Sequence, residues 1–327
     1  MIVRLFFLCI LIFTFGCGTG SPSMPVIDDN PPVEGGFLEI ANNPNANKSQ
    51  KHLVSLLKDL VGEDDNDLAF QKLQEIKEIS FTDKGIVDIS ALQGLKKIEK
   101  LVLVSNYIED LVPLQDLLEL QELDLRSNSI ENVDSLRNLS KLKELDISLN
   151  QIENVSLLGN LPSLGFLDLS YNSLKDITGI QNINTLEKMN LYYIGDVKVG
   201  ENILNLTKLK ELYVNIYNQS NFTELENALI QNQSIEILWV IYDSKVSLSG
   251  LHNIKSLKKL SVIRDTYSSD KLLSTIDLSQ FSEFVNLEEL YTSNLEVTGK
   301  ASLEDLKKPH LNDSGETISL KITIYKE

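Results

Sequence analysis

At 327 residues, with 42% hydrophobic and 24% charged side chains, the chain has enough apolar material for two compact domains or one elongated array. A formal net charge of -17 with no basic cluster argues against nucleic acid as a partner, because that binding rests on Lys and Arg neutralising phosphates. The two cysteines, Cys9 and Cys17, precede everything that reads as a folded body, so that body has neither a disulfide framework nor a thiolate metal site.

Residues 1–16 read as a signal peptide: a short positive segment, Met1 to Arg4, then an apolar run from Leu5 to Phe15 that is too short to span a bilayer. Gly16 before Cys17 resembles the bacterial lipobox, which implies that Cys17 is acylated and becomes the mature N-terminus. Thr14 stands where that motif usually has Leu, and the alternative is an ordinary signal peptide with Cys17 incidental. Residues 17–47, rich in Pro, Asn, Gly and Asp, read as a lipid-anchored flexible tether.

Residues 48–75 read as a helical cap. Leu53, Val54, Leu56, Leu57 and Leu60 lie on one face at helical spacing, and a second short helix is expected near Asp67, whose side chain is placed to cap it ahead of Leu68. The acidic run Glu63, Asp64, Asp65 and Asp67 fails as a calcium loop. Counting from Asp65, the required Gly and Glu positions hold Phe70 and Ile76.

From residue 76 to 195 the pattern L-x-x-L-x-L-x-x-N recurs every 22 residues, with blocks starting at Ile76, Ile98, Leu120, Leu142, Leu164 and Leu186. Within a block, Leu123 and Leu125 alternate with polar residues as in a strand with one buried face, and Ile130, Val133, Leu136 and Leu139 then point each turn of a short return inward. One such coil cannot cover its own apolar side, so neighbours must stack. Asn106, Asn128, Asn150 and Asn172 hold the same place in successive coils, where a buried carboxamide can bond backbone groups of the adjoining coil.

This pattern resembles the leucine-rich repeat in its short 22-residue form, shared by the bacterial internalins. Ile86-Val87-Asp88-Ile89, Ile108-Glu109-Asp110-Leu111 and Leu174-Lys175-Asp176-Ile177 look like the internalin I-x-D-[IL] turn. The resemblance is close over residues 73–191 and loose over 206–295. It implies an α/β solenoid: a curved array of about ten coils, with parallel strands on a concave recognition face and short 3₁₀ or helical returns. No LPXTG-type sorting motif follows the repeats, and invasion in particular is not implied.

Residues 196–300 read as irregular repeats. Strands are expected from Leu209, Ile235, Leu257 and Leu287, the ladder Asn is lost (Tyr217 holds its place once), and a return helix is expected over residues 223–230. The widest gap, around Asp265 to Ser279, reads as a protruding loop. Residues 301–327 read as a closing segment in which Ile318, Leu320, Ile322 and Ile324 alternate as a last strand.

On the outward side of the strands the central residues are Ser80, Val102, Asp124, Asp146, Asp168, Asn190, Tyr213, Trp239, Ser261 and Tyr291, an acidic block followed by an aromatic one. Asp124, Asp146 and Asp168 are candidates for holding a cation or meeting a basic partner, against the plainer reading of a solvated charge row softened by Arg126. Phe166, Tyr192, Tyr193, Tyr213, Trp239, Tyr242 and Tyr291 are candidates for partner contact, since exposed Tyr and Trp supply large area at low entropy cost. Tyr213 and Trp239 are expected to stand outside the solenoid's own core.

His52, His252 and His310 are scattered, and no nucleophile elbow, phosphate loop or zinc motif occurs, so neither catalysis nor a cofactor or small-molecule substrate is expected. Two roles remain. One is a surface-displayed protein that binds a protein partner, host-derived or not, touching the membrane only through its lipid. The other is a structural envelope protein organising components of its own cell.

Overall fold

The computed structural model describes residues 35–242, 249–264, 275–277, 284–293, 296–298, 310–311, 317–318 and 320–325. The expectations for the signal peptide, for Cys17 and for nearly all of the 265–279 loop fall outside them. Eleven strands form one parallel sheet in chain order: β1 (Glu78–Ser80), β2 (Lys100–Val102), β3 (Glu122–Asp124), β4 (Glu144–Asp146), β5 (Phe166–Asp168), β6 (Lys188–Leu191), β7 (Glu211–Ile216), β8 (Ile237–Tyr242), β9 (Lys259–Arg264), β11 (Glu289–Ser293) and β15 (Lys321–Tyr325). Two small pairs stand apart, β10 (Thr275–Asp277) with β12 (Glu296–Thr298) and β13 (His310–Leu311) with β14 (Thr317–Ile318).

The chain between strands returns behind the sheet, so each coil lays its leucines on those of the next and one continuous core runs from Phe37 to Leu320. In coils one to five the return is a 3₁₀ turn, from Ser90–Leu92 to Ile180–Asn182. The acid or amide of the I-x-D-[IL] position opens the first four, and in the fifth Asp176 makes the same bond just ahead of the turn. Asp88, Asp110, Asn132, Asn154 and Asp176 accept from the N–H two residues on, at 2.8, 2.8, 2.7, 2.8 and 2.9 Å.

At the other corner, just after each of the strands β1 to β6, the chain turns so sharply that a non-glycine residue goes left-handed. Asp83, Ser105, Ser127, Leu149, Tyr171 and Tyr193 have φ between 53° and 56°. Each such residue costs roughly 1–2 kcal/mol, so something must hold the turn. In coils two to five the following Asn does. Asn128 Oδ1 accepts from Ile108 N–H at 3.1 Å, and its Nδ2 donates to Leu103 O at 3.0 Å in the preceding coil and to Leu125 O at 2.9 Å in its own. Asn106, Asn150 and Asn172 repeat the arrangement, and all four are buried.

The N-terminal cap is larger than residues 48–75. Phe37–Ala41 forms helix α1, with Phe37 and Ile40 wholly buried, so the segment read as tether is folded from residue 35 onward. Phe37 stacks on Phe70, with ring centroids 6.1 Å apart. Helix α2 (Lys48–Val61) starts in a capping box of Asn47 and Gln50 and ends at Gly62, whose φ of 62° suits a residue without Cβ. Helix α3 (Asn66–Leu73) is capped by Asp65 rather than by the expected Asp67. The Asp65 carboxylate accepts from Asp67 N–H at 3.1 Å and Leu68 N–H at 3.0 Å, whereas Asp67 already lies inside the first turn.

From coil six on the returns thicken into α4 (Gly200–Ile203) and then α5 (Gln219–Asn232), the latter longer than the helix expected over 223–230 and capped by Asn218. The last strand, β15, pairs in parallel with β11 and closes the sheet.

Replacing Asn128 by Leu strands the Ile108 N–H and two carbonyls in the interior. The expected loss is about 3 kcal/mol in urea unfolding. A loss below about 1 kcal/mol would show that the ladder is not what holds the turns.

Candidate functional site

The strand register turns the central outward positions into one physical row. Ser80, Val102, Asp124, Asp146, Asp168, Asn190, Tyr213, Trp239, Ser261, Tyr291 and Thr323 are successive Cα partners. Its acidic part is satisfied from within the chain. Arg126 grips Asp124 through Nε–Oδ1 at 2.9 Å and Nη2–Oδ2 at 2.7 Å, and its Nε lies 3.4 Å from Asp146. Asp146 accepts from the Ser148 hydroxyl at 2.7 Å, and Asp168 accepts from the Ser170 hydroxyl at 2.6 Å and from Asn190 Nδ2 at 2.7 Å.

Burial, and then the charge of Asp168, push the Asp146 carboxyl up to about 7. Burial raises Asp168 as well, so the two titrate as a pair. Among the described residues no group of His, Cys, Asp and Glu is placed to hold a metal ion.

Lys188 marks the boundary between the two halves. Its Nζ lies 5.7 Å from the Phe166 ring centroid and 5.3 Å from that of Tyr213, and 3.2 Å from the Glu211 carboxylate. From there the rings run on: Tyr192 meets Tyr213 edge-on at 5.7 Å, Tyr213 stacks on Trp239 at 5.7 Å, and Trp239 stacks on Tyr291 at 5.9 Å. Each end of the stack is tied to a carboxylate on its own strand, since the Tyr213 hydroxyl donates to Glu211 and that of Tyr291 to Glu289. Burial, with Glu211 alongside, holds the Tyr213 phenol above its ordinary range.

These aromatics differ from the sequence expectation in two respects. Tyr192, Tyr213 and Ile241 form a second, smaller apolar cluster on the strand face, with Tyr193, Trp239 and Ile263 packed against it. Tyr213 is therefore only 8% exposed although it points away from the main core, because its neighbours' rings cover it. Trp239 and Tyr291 are half-buried. Tyr242 is not on this face at all. It follows Leu238 and Val240 in the period of two and lies in the main core at 4% exposure, out of reach of a partner.

Phe166 is half-buried beside Lys188 and does not join the stack. Tyr193 sits at the left-handed corner and stacks on Tyr171 at 4.8 Å. Tyr171, 40% exposed, was absent from the expected set although it lies 22 residues before Tyr193 in the same repeat position. Ile241 and Ser261 also lie on the strand face, both buried, and neither residue type signals a binding role.

Residues 118–174 match the leucine-rich repeat family model. Among solved structures, internalin C2 from Listeria monocytogenes is 20% identical over 80% of this chain and 99% of its own, with a TM-score of 0.52. A second Listeria monocytogenes internalin, inlF, is 18% identical over 84% of this chain and 96% of its own, with a TM-score of 0.41. No curated protein matches. At such identity the likeness to internalin C2 shows the fold alone: a curved leucine-rich-repeat solenoid of the internalin kind.

A carboxyl whose pKa rises from 3.8 to about 7 on folding keeps a proton that the unfolded chain loses, so stability falls as pH climbs through that window. Asp146→Asn is expected to stabilise the protein at pH 8 by on the order of 2 kcal/mol, with the gain disappearing near pH 4. Equal effects at both pH values would remove the assignment.

Proposed function

From a leucine-rich-repeat solenoid with an internalin-like fold as premise, we propose that this is an exported, non-enzymatic interaction protein that binds a protein partner through the strand face of coils six to ten. The observation that carries the reading is the Tyr192–Tyr213–Trp239–Tyr291 assembly. Trp239 and Tyr291, half-buried and held rigid by the buried Tyr213 and Tyr192 packed beside them, offer apolar area with little entropy left to lose on binding, which is the character of interface hot spots. The acidic half serves mainly as scaffold, because its carboxylates already have partners inside the chain.

The same reading places the protein at the cell surface, held by a lipid on Cys17. Its support is the leader pattern of residues 1–17. A role in organising the cell's own envelope is the competing reading. Cleavage of the folded part by protease added to intact cells favours display, and full protection favours the inward role.

In a capture experiment with residues 35–327 against extracellular proteins, the double substitution Tyr213→Ala, Trp239→Ala is expected to weaken the captured partner at least about tenfold. Unchanged capture by a variant that remains folded would end the concave-face reading. The mature protein is expected to carry the added mass of acyl chains at Cys17, and an unmodified Cys17 would end the anchor.

A further inference from the structure

Ser261 interrupts the aromatic row. It lies between Trp239 and Tyr291, on the strand that separates theirs. Strands two places apart are about 9.6 Å distant, yet the two ring centroids are 5.9 Å apart with planes 16° from parallel. The rings therefore lean toward each other across the small residue. Beneath them Ser261 is 1% exposed, and its hydroxyl has no hydrogen-bond partner among the described residues. A buried hydroxyl without a partner is disfavoured by about 1–3 kcal/mol, which a suitable donor or acceptor group would recover.

We propose that this is a closed slot for an arginine side chain of the protein partner, the guanidinium entering between Trp239 and Tyr291 and bonding the Ser261 hydroxyl. The inference rests on the partner-binding reading above and names the chemistry of the contact. Rings standing upright on their own strands leave room for one planar group, which needs about 3.5–4.0 Å on either face.

Of planar side-chain groups, the guanidinium gains most from two aromatic faces, and its fixed fork of N–H donors also serves the serine oxygen. The stack already takes a cation at its other end, where Lys188 lies 5.3 Å from the Tyr213 centroid. The Glu289 carboxylate, bonded by the Tyr291 hydroxyl and 3.5 Å from Lys259, borders the slot. With a formal charge of -17, the whole chain attracts a basic segment.

Trp239 is the protein's only tryptophan, so its fluorescence reports on this position alone. The full protein, titrated with N-acetyl-arginine amide, is expected to show a saturable change in emission that N-acetyl-lysine amide at equal ionic strength does not reproduce. Ser261→Ala is expected to weaken it about fivefold, and Tyr291→Leu to abolish it. No change with arginine, or the same change with lysine, overturns the slot. So does an undiminished response in Tyr291→Leu with native circular dichroism. Loss of partner capture in the Tyr213→Ala, Trp239→Ala protein alongside a silent arginine titration would leave the partner-binding reading standing and remove only the arginine. Unchanged capture would remove the reading itself.

Discussion

The left-handed corner after the strands of the regular coils, and the asparagine that follows it in coils two to five, set the geometry on which everything else depends. A turn tight enough to bring the chain back after a three-residue strand leaves N–H and C=O groups pointing into the core. The Asn side chain bonds an N–H 20 residues back and a carbonyl 25 residues back, as Asn150 does with Ile130 at 3.0 Å and Leu125 at 3.1 Å. One residue thereby satisfies its own turn and fixes the offset to the coil before. Because that offset is constant, equivalent positions stack into rows, and the rows make the surface.

Where the asparagine stops, the strands lengthen. Coil six has Ile194 in its place, and the Tyr193 N–H, whose counterpart at Tyr171 bonds the Tyr192 carbonyl at 2.7 Å, is taken by Asn215 Oδ1 at 3.0 Å. Coil seven has Tyr217 there, and β7 runs on to Ile216, as β8 runs on to Tyr242. Six-residue strands give three outward positions rather than two, and the third, Asn215 on β7 and Ile241 on β8, lies alongside Tyr213 and Trp239. The second apolar cluster exists because the sheet is wider here.

The repeat made the solenoid, its register and the central row legible in the sequence, since a strict period leaves one alignment of equivalent positions. What it did not convey was local. The Phe37-Leu38-Glu39-Ile40 cluster was lost in the Pro- and Asn-rich composition around it, although two fully buried side chains suffice to fold a five-residue helix onto the cap. The left-handed corner carries no residue-type signal, because Ser, Leu and Tyr do not favour positive φ and are held there by their neighbours. Tyr242 could have been placed inward by parity with Leu238 and Val240. The burial of Tyr213 could not have been foreseen in the same way, because it depends on how far adjacent rings lean, which no periodicity encodes.

Losing the ladder exposes the irregular half to the cost the ladder removes elsewhere, and the return side supplies the remedy. Asn232, at the end of α5, donates to the Ile203 and Leu204 carbonyls at 3.0 and 3.2 Å, and the Ser234 hydroxyl donates to the Leu209 carbonyl at 2.7 Å. Ser256 repeats that last bond to Ile235 at 2.7 Å. Coil-to-coil polar contacts have thus moved from the front corner to the back helices and the approach to each strand. With its backbone held from behind, the front of these coils is free to carry rings that bond little to the backbone and pack chiefly on one another. In the regular coils the same positions hold carboxylates tied down by Arg126, Ser148 and Ser170. The two halves of the face differ because their turns are held at different places.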